Sequence, residues 1–228
     1  MAENMVMALL AGYGAAQRLV HRAAIFCLGV LLAAAPAQAA GPLIWALGDS
    51  LTAGYGLPPA NGFTHQLELA LRQAGVPATV RNGGISGDTA AQGRARTLWG
   101  LRGLGAKPDL VIVELGANDM LRGLPPAQAR TNLDLILAEL DRRHIRVLIA
   151  GMKASPNLGP DYVREFDAIY PALARKYRAR LYPFFLDGVA GKPALIQGDG
   201  LHPNARGVRI IVGRIFPAVR EALAVRRG

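Results

Sequence analysis

Short apolar runs of strand length alternate along this chain with longer segments whose apolar residues recur three and four positions apart, as in a helix. Strands are predicted at 43–47, 78–81, 109–115, 145–150 and 181–186, and helices at 63–75, 125–140, 161–177 and 208–223. Strands and helices taking turns favour an α/β fold in which helices cover both faces of a parallel sheet. Sites in such sheets lie at the carboxyl ends of the strands.

The N-terminal segment differs from the rest and predicts an export signal. Two arginines precede an apolar stretch at 23–35, and Ala37-Gln38-Ala39 supplies the small residues that a signal peptidase requires. Because the stretch is short for a bilayer span, we expect residues 1–39 to be an extension and cleaved signal, with an uncleaved anchor as the alternative. The prediction is a periplasmic or secreted protein with one domain at 40–228.

Cysteine content and charge narrow the function class. Cys27 is the only cysteine and lies in the predicted signal, so the mature chain has no thiol nucleophile and no disulfide. Residues 1–39 hold two of the 26 Lys and Arg residues and one of the 16 Asp and Glu residues, which leaves 24 basic and 15 acidic residues and a net charge of +9. A basic surface favours anionic partners, such as phosphate-bearing substrates or lipid surfaces. The arginines are scattered along helices, which argues against nucleic-acid binding.

Four polar loops that contain glycine follow predicted strands or precede the last helix, and we expect them to meet at one rim of the sheet. They are Gly48-Asp49-Ser50, the segment 82–89 (NGGISGDT), Gly116-Ala117-Asn118-Asp119 and the segment 199–204 (DGLHPN). Ser50 directly follows a buried strand, where its hydroxyl lies near free backbone N–H groups. It is the candidate nucleophile.

A serine nucleophile requires a base, and the predicted mature chain has three histidines. His65 lies in a predicted helix and His144 in a connector, whereas His202 lies in a glycine-rich loop three residues after Asp199. Asp199 can accept a hydrogen bond from Nδ1–H of His202 and thereby turn Nε2 towards Ser50. The sequence therefore predicts a Ser50, His202 and Asp199 triad.

Simpler structural roles stay open for the same residues. Asp49 or Ser50 can act as the N-cap of a helix, since both residue types are favoured there. The loop around Asp199 and His202 can be a surface turn before a helix that Pro203 or Asn204 opens.

An oxyanion formed at Ser50 needs hydrogen-bond donors. The Gly87 N–H can approach a substrate closely because no Cβ intervenes, and the side-chain amide of Asn118 can supply a second bond. The N–H of Ser50 is the natural third donor. Each such donor typically contributes about 3 kcal/mol to the transition state.

Together these blocks resemble the SGNH hydrolases, also called GDSL esterases and lipases. The matching blocks are Gly48-Asp49-Ser50-Leu51, Ser86-Gly87-Asp88-Thr89, Gly116-Ala117-Asn118-Asp119 and Asp199-Gly200-Leu201-His202-Pro203. The segments 113–123, 170–174 and 183–185 are similar to the bacterial periplasmic thioesterases, lysophospholipases and arylesterases of that family.

The resemblance implies a flavodoxin-like three-layer α/β/α sandwich without a metal or organic cofactor. It implies Ser50 as nucleophile, His202 as base, Asp199 as its orienting partner, and Ser50, Gly87 and Asn118 as the oxyanion hole. Acyl-CoA thioesters, aryl and short-to-medium acyl esters and lysophospholipids are the implied substrates. A mobile substrate-contacting loop is implied at Asp119, Met120, Leu121, Leu124 and Pro125, where Met120 replaces a glycine common in close relatives.

Two other functions fit the same blocks. A carbohydrate O-acetylesterase uses the same loops, and a catalytically silent domain that binds acylated glycans or lipids keeps the pocket without the chemistry. A metallohydrolase is disfavoured because the sequence has no His-x-x-x-His motif or equivalent carboxylate cluster.

Overall fold

The computed structural model describes residues 41–224, which belong to one compact unit, Gly41–Gly228. The predicted signal segment and Cys27 lie outside the described residues. Among the helices that the structure describes, none combines the length and the apolar character needed to cross a membrane.

A parallel sheet of five strands lies at the centre of the fold, in the order β2-β1-β3-β4-β5. The strands are β1 (Leu43–Gly48), β2 (Thr79–Gly84), β3 (Leu110–Glu114), β4 (Arg146–Ala150) and β5 (Arg180–Tyr182). The strands β1 and β3 are each paired on both sides, and β3, the central strand, is buried along its full length. This burial explains why both read as nearly continuous apolar runs.

Helices cover both faces of the sheet. They are α1 (Ser50–Ala53), α2 (Phe63–Gln73), α3 (Ala90–Gly103), α4 (Ala117–Leu121), α5 (Pro126–Arg142), α6 (Pro160–Asp167), α7 (Ile169–Tyr177) and α8 (Ala205–Ala224), with 3₁₀ turns at Pro59–Asn61, Pro156–Leu158 and Pro193–Leu195. On one face α2 packs against α8, and on the other α5 packs against α3 and α7. The predicted three-layer α/β/α architecture is therefore confirmed.

Two predicted elements end or break at a proline. The helix predicted at 161–177 is two helices, α6 and α7, because Pro171 has no N–H to donate to the carbonyl four residues earlier. Asp161 is not the cap of α6, whose N-cap is Gly159. The strand predicted at 181–186 stops at Tyr182, where Pro183 cannot continue the ladder.

Two further elements differ from the sequence prediction. The residues 82–84, predicted to lie in the loop after β2, belong to the strand because Gly83 and Gly84 pair with the end of β1. Helix α3 was not predicted, since it buries only Ala90, Gly93 and Thr97 and therefore lacks a large apolar stripe.

Candidate active site

Ser50 begins α1 immediately after β1 ends. Asp49 is the N-cap of this helix, and its Oδ1 accepts a hydrogen bond from the Leu51 N–H at 3.0 Å. Gly48 makes the turn possible, because a Cβ at this position would lie 2.1 Å from Thr52 Oγ1. Asp49 is thus a helix cap, and the cap holds Ser50 at the carboxyl edge of the sheet.

A chain of short contacts joins Ser50, His202 and Asp199. The Nε2 atom of His202 is 2.8 Å from Ser50 Oγ, and its Nδ1 atom is 2.6 Å from Asp199 Oδ2. The other carboxylate oxygen of Asp199 accepts the backbone N–H groups of residues 201 and 202 at 2.9 and 3.0 Å. The His202 N–H bond, followed by the Leu201 N–H and the imidazole, lowers the pKa of Asp199 to about 2. An ionised Asp199 favours the tautomer that carries its proton on Nδ1 and leaves Nε2 free to accept the serine proton.

Gln197 and Tyr55 hold the histidine loop against the serine turn. The side-chain amide of Gln197 donates to the carbonyl groups of Tyr55 (2.8 Å) and Pro203 (3.0 Å), and its backbone N–H donates to His202 O (2.7 Å). The ring of Tyr55 lies 4.6 Å from the ring of His202, centroid to centroid. These contacts join segments about 140 residues apart in sequence, and no local pattern predicted them.

The residues of the three predicted oxyanion donors, Ser50, Gly87 and Asn118, line the same cavity, but they differ in whether their N–H groups already have acceptors. Gly87 has a left-handed φ of +87°, and neither its N–H nor that of Ser50 has an acceptor among the described residues. The Asn118 amide donates to Asp49 Oδ2 and to the Asp88 carbonyl, both at 3.0 Å. Both hydrogens of that amide therefore have protein partners in the free structure.

Two buried carboxyl groups lie directly beneath the serine turn. Asp49 and Glu114 are both fully buried, and Glu114 Oε2 accepts from the Thr52 hydroxyl at 2.7 Å and from the Asp49 N–H at 3.4 Å. Burial raises the pKa of Asp49 to about 6. Burial, followed by the nearby charge of Asp49, raises the pKa of Glu114 well above its ordinary value. The sequence contained one indication of this pair, an acidic residue ending the apolar strand β3.

Arg96 fastens the loops around the oxyanion donors. Its guanidinium contacts Asp88 Oδ2 at 2.5 Å and donates to the carbonyl groups of Gly83 (2.7 Å) and Gly48 (2.8 Å). The ends of β1 and β2 and the start of α3 are thereby joined through one side chain. Arg96 lies on α3, the helix that the sequence pattern did not predict.

The triad opens into a cavity of about 700 Å³. Ser50, Gly87, Asn118 and His202 line it, together with mainly apolar side chains. The apolar lining includes Met120, Leu121, Met152, Phe184, Leu186 and Leu201. The size and lining are those of a site for a small organic ligand with an apolar part.

Only part of the predicted substrate-contacting loop faces this cavity. Met120 and Leu121 line it, and Met120 Sδ accepts the Ser155 N–H at 3.2 Å from the opposite wall. The other three loop residues serve the scaffold: Asp119 is buried with its Oδ2 on the Ala90 N–H, Leu124 O accepts the Tyr162 hydroxyl, and Pro125 caps α5. Asp119, Leu124 and Pro125 do not line the cavity in this structure, and their contact with substrate stays a prediction.

Comparison with known proteins places this geometry in context. Residues 46–210 match the model of the GDSL-like lipase/acylhydrolase family. An arylesterase of Vibrio mimicus is 41% identical over 187 residues, which cover 82% of this chain and 90% of the relative. The thioesterase 1/protease 1/lysophospholipase L1 of Escherichia coli K12 is 38% identical over 166 residues, 73% of this chain and 77% of the relative.

A solved structure extends the similarity to three dimensions. The crystal structure of AlinE4, an esterase of the SGNH-hydrolase family, superposes with a TM-score of 0.69 and 54% sequence identity. The match covers 81% of this chain and 98% of the AlinE4 chain. The part of the chain that the structure describes thus corresponds to nearly the whole of that relative.

Proposed function

Because this chain belongs to the GDSL-like lipase/acylhydrolase family, we propose that it cleaves carboxylic esters and thioesters through an acyl-enzyme on Ser50. The protein is an esterase, and its substrates are small-molecule esters. The observation that carries the assignment of Ser50 is the 2.8 Å contact between its hydroxyl and Nε2 of His202. This distance is within hydrogen-bond reach for a nucleophile and its general base.

The first chemical step forms a bond between Ser50 Oγ and the carbonyl carbon of the substrate. His202 Nε2 takes the hydroxyl proton, and the carbonyl π electrons move to the oxygen as the oxyanion. Asp199 stabilises the resulting imidazolium through the 2.6 Å contact to Nδ1. The imidazolium then gives its proton to the leaving alcohol or thiol as the carbon–oxygen or carbon–sulfur bond breaks.

The oxyanion is stabilised by donors that point into the cavity. The N–H groups of Ser50 and Gly87 are free to donate, whereas the Asn118 amide must release a partner. The bond to the Asp88 carbonyl is the one to release, because Asp49 carries the negative charge that keeps the amide oriented. Asn118 then donates one hydrogen to Asp49 and the other to the oxyanion.

Water completes the reaction by the same route. His202 removes a proton from a water molecule that attacks the acyl carbon, and the proton returns to Ser50 Oγ when the acyl–oxygen bond breaks. The products are a carboxylic acid and free enzyme. These steps use only groups of this chain and water.

The size and lining of the cavity favour acyl chains over acetyl groups. A space of about 700 Å³ with a mainly apolar lining exceeds what one acetyl group fills. Acyl-CoA and anionic lysophospholipids are therefore the finer substrate classes that we propose, because a basic surface favours the phosphate groups that both carry. For these substrates kcat/KM should fall with added salt, while kcat/KM for a neutral aryl ester should not. Equal salt responses would reject this substrate class.

The N-terminal pattern adds a cellular location to the proposal. The apolar stretch at 23–35 and the small residues at 37–39 support export and cleavage, and a mature protein in the periplasm or outside the cell. N-terminal sequencing of the protein recovered from a cell envelope extract tests this location. An intact N-terminus on exported protein would support the uncleaved anchor instead.

A fluorophosphonate probe tests the nucleophile directly. We expect labelling of the wild type and of Ser86→Ala, and no labelling of Ser50→Ala, because only Ser50 contacts a base among the cavity serines. Ser86 is the matched control, since it lines the same cavity. Label on the Ser50→Ala protein would assign the chemistry to another residue, and unlabelled folded wild type would favour a silent binding domain.

A further inference from the structure

Four large apolar side chains are exposed around the mouth of the catalytic cavity. Tyr55, Ile85, Leu121 and Leu201 are 53%, 47%, 55% and 51% exposed. Tyr55, Leu121 and Leu201 line the opening, and Ile85 precedes Ser86, which also lines it. We call these four side chains the apolar rim. They come from four separate segments that follow β1, β2 and β3 or precede α8, so the edge of the sheet brings them together.

Exposed large apolar side chains are concentrated at the apolar rim rather than spread evenly over the described surface. The other large apolar side chains with comparable exposure in the described part of the chain lie on helices that flank the sheet. They are Leu69 on α2, Leu98 and Trp99 on α3, and Leu135 on α5. Half of the exposed large apolar side chains within residues 41–224 thus surround one opening, which is the pattern of an interaction surface.

The charge beside the apolar rim is positive. Arg122 follows Leu121 and donates to the Gly87 carbonyl at 2.7 Å, and Lys153 lines the cavity with its ammonium 5.7 Å from the Phe184 ring centre. Neither cation forms an ion pair with a carboxylate of the described residues. Both are therefore available to an anionic surface.

The carboxylates of the loops around the mouth all have hydrogen-bond or ion-pair partners within the protein. Asp88 is paired with Arg96, Asp119 is buried on the α3 N-terminus, and Asp199 is held by His202. Asp199 keeps its charge beside the neutral imidazole, and the mouth presents aliphatic and aromatic groups together with two cations, Arg122 and Lys153, that have no carboxylate within ion-pair distance among the described residues. A surface that offers hydrocarbon and negative charge is the chemical complement of this combination.

We propose that the apolar rim docks the protein on the surface of an anionic membrane. This inference deepens the proposed function and rests on it, because docking would bring the acyl chain of a lipid ester to the cavity mouth. Leu121 and Leu201 belong to both the rim and the cavity lining, so the apolar path from the lipid surface towards Ser50 is continuous. An acyl chain then enters the cavity without first crossing water.

Vesicle binding by an inactive enzyme tests docking separately from catalysis. The protein to use is residues 41–228 with Ser50→Ala, because this part forms a compact unit and the AlinE4 chain, 98% of which is matched, folds without a further segment. Sedimentation is measured with vesicles of equal parts phosphatidylcholine and phosphatidylglycerol and with vesicles of phosphatidylcholine alone. We expect binding to the mixed vesicles and at least about ten-fold weaker binding to the neutral ones.

Rim variants identify the surface. Ile85→Ser with Leu201→Ser should weaken binding to the mixed vesicles at least about ten-fold, whereas Leu69→Ser with Leu135→Ser should not weaken it. The control pair has similar exposure but lies on helices away from the mouth. If the double variant is unstable, vesicle binding is measured with Ile85→Ser alone, after circular dichroism has shown that this variant is folded. Weaker binding of Ile85→Ser would then support the proposal, and unchanged binding would contradict it.

Each outcome decides for or against the proposal. Equal loss in the rim and control pairs, or no binding of the unmodified inactive enzyme, would overturn it. A change of oligomeric state in the rim variants, with no vesicle binding by the parent, would assign the rim to contacts between copies of this chain. Failure of the proposed function is distinct, since it would appear as no turnover of soluble esters by the wild type.

Discussion

Replacing Glu114 by glutamine tests the protonation state of the carboxyl group beneath the serine turn. Glu114 Oε2 accepts from the Thr52 hydroxyl and the Asp49 N–H, and Oε1 has no partner among the described residues. A glutamine of the same shape can accept both bonds with its amide oxygen. Its uncharged NH₂ then occupies the space of Oε1, as the hydroxyl of a protonated glutamic acid does. Glu114→Gln is therefore an isostere of the neutral acid.

The expected effect follows from proton linkage. Burial and the charge of Asp49 raise the pKa of Glu114 well above its ordinary value, so the folded protein keeps a proton that the unfolded chain releases. The stability that this proton contributes is present at acidic pH and is lost as pH rises from the unfolded-state pKa towards the folded-state pKa. The loss is up to about 1.4 kcal/mol per pH unit between those two pKa values, so stability is compared at about pH 5 and about pH 7.

Urea unfolding of the wild type and Glu114→Gln at both pH values measures this difference. The variant has no proton to release, so its unfolding free energy should rise relative to that of the wild type as pH increases, by up to about 1.4 kcal/mol per pH unit. The raised pKa of Asp49 acts in both proteins and largely cancels. Glu165→Gln, an exposed change on α6, should show no such trend. A pH-independent difference between wild type and Glu114→Gln would refute the buried neutral acid.

Three further predictions concern the triad, the oxyanion loop and the core. Asp199→Asn should lower kcat on p-nitrophenyl butyrate by about 10⁴-fold, because the amide no longer fixes the His202 tautomer, and unchanged turnover would remove Asp199 from the triad. Gly87→Ala places a side chain at φ +87°, and since the added Cβ has its nearest atom 3.7 Å away, the penalty is one of backbone conformation. A loss of about 1 to 2 kcal/mol in unfolding free energy and a lower kcat should follow, and an unchanged protein in both assays would contradict it. Tyr170→Phe removes the buried hydroxyl that donates to Leu115 O at 3.1 Å. This change should lower the unfolding free energy by about 1 to 3 kcal/mol, measured by thermal unfolding. An unchanged unfolding free energy would show that the bond does not stabilise the fold.

The three layers of the fold could be predicted from the sequence because the buried strands are recognisable as short apolar runs. The strands β1 and β3 are covered on both faces, so nearly every position before the last is apolar and the run is recognisable in the sequence. Four loops of polar and glycine residues then had to meet at the carboxyl edge, and Ser50, Gly87, Asn118 and His202 do line one cavity. The order of the elements along the chain and the residue types in the loops were enough to predict that these residues lie together.

The supporting contacts of the site could not be predicted because they join distant segments through single side chains. Arg96 makes its three contacts from α3, whose small buried residues leave no amphipathic pattern. Gln197 donates to the Tyr55 carbonyl although the two residues are 142 positions apart in sequence. A polar residue in a polar loop has no sequence feature that predicts such a contact. The contact of Asp119 with the N-terminus of α3 is a further example, since only the fold brings these two segments together.

The carboxyl pair beneath the serine turn, Asp49 and Glu114, supports the candidate site when one of the two groups is charged, rather than neither or both. Two acids that share a dry site cannot both ionise without a large penalty, so the more deeply enclosed Glu114 holds its proton. Asp49, whose carboxylate accepts the Leu51 N–H and the Asn118 amide, is the member that carries charge above about pH 6. That single charge faces the Asn118 amide, whose other hydrogen is the one available to the oxyanion. With Asp49 neutral the amide would lose its charged partner, and with both acids ionised the repulsion would weaken the turn that carries Ser50.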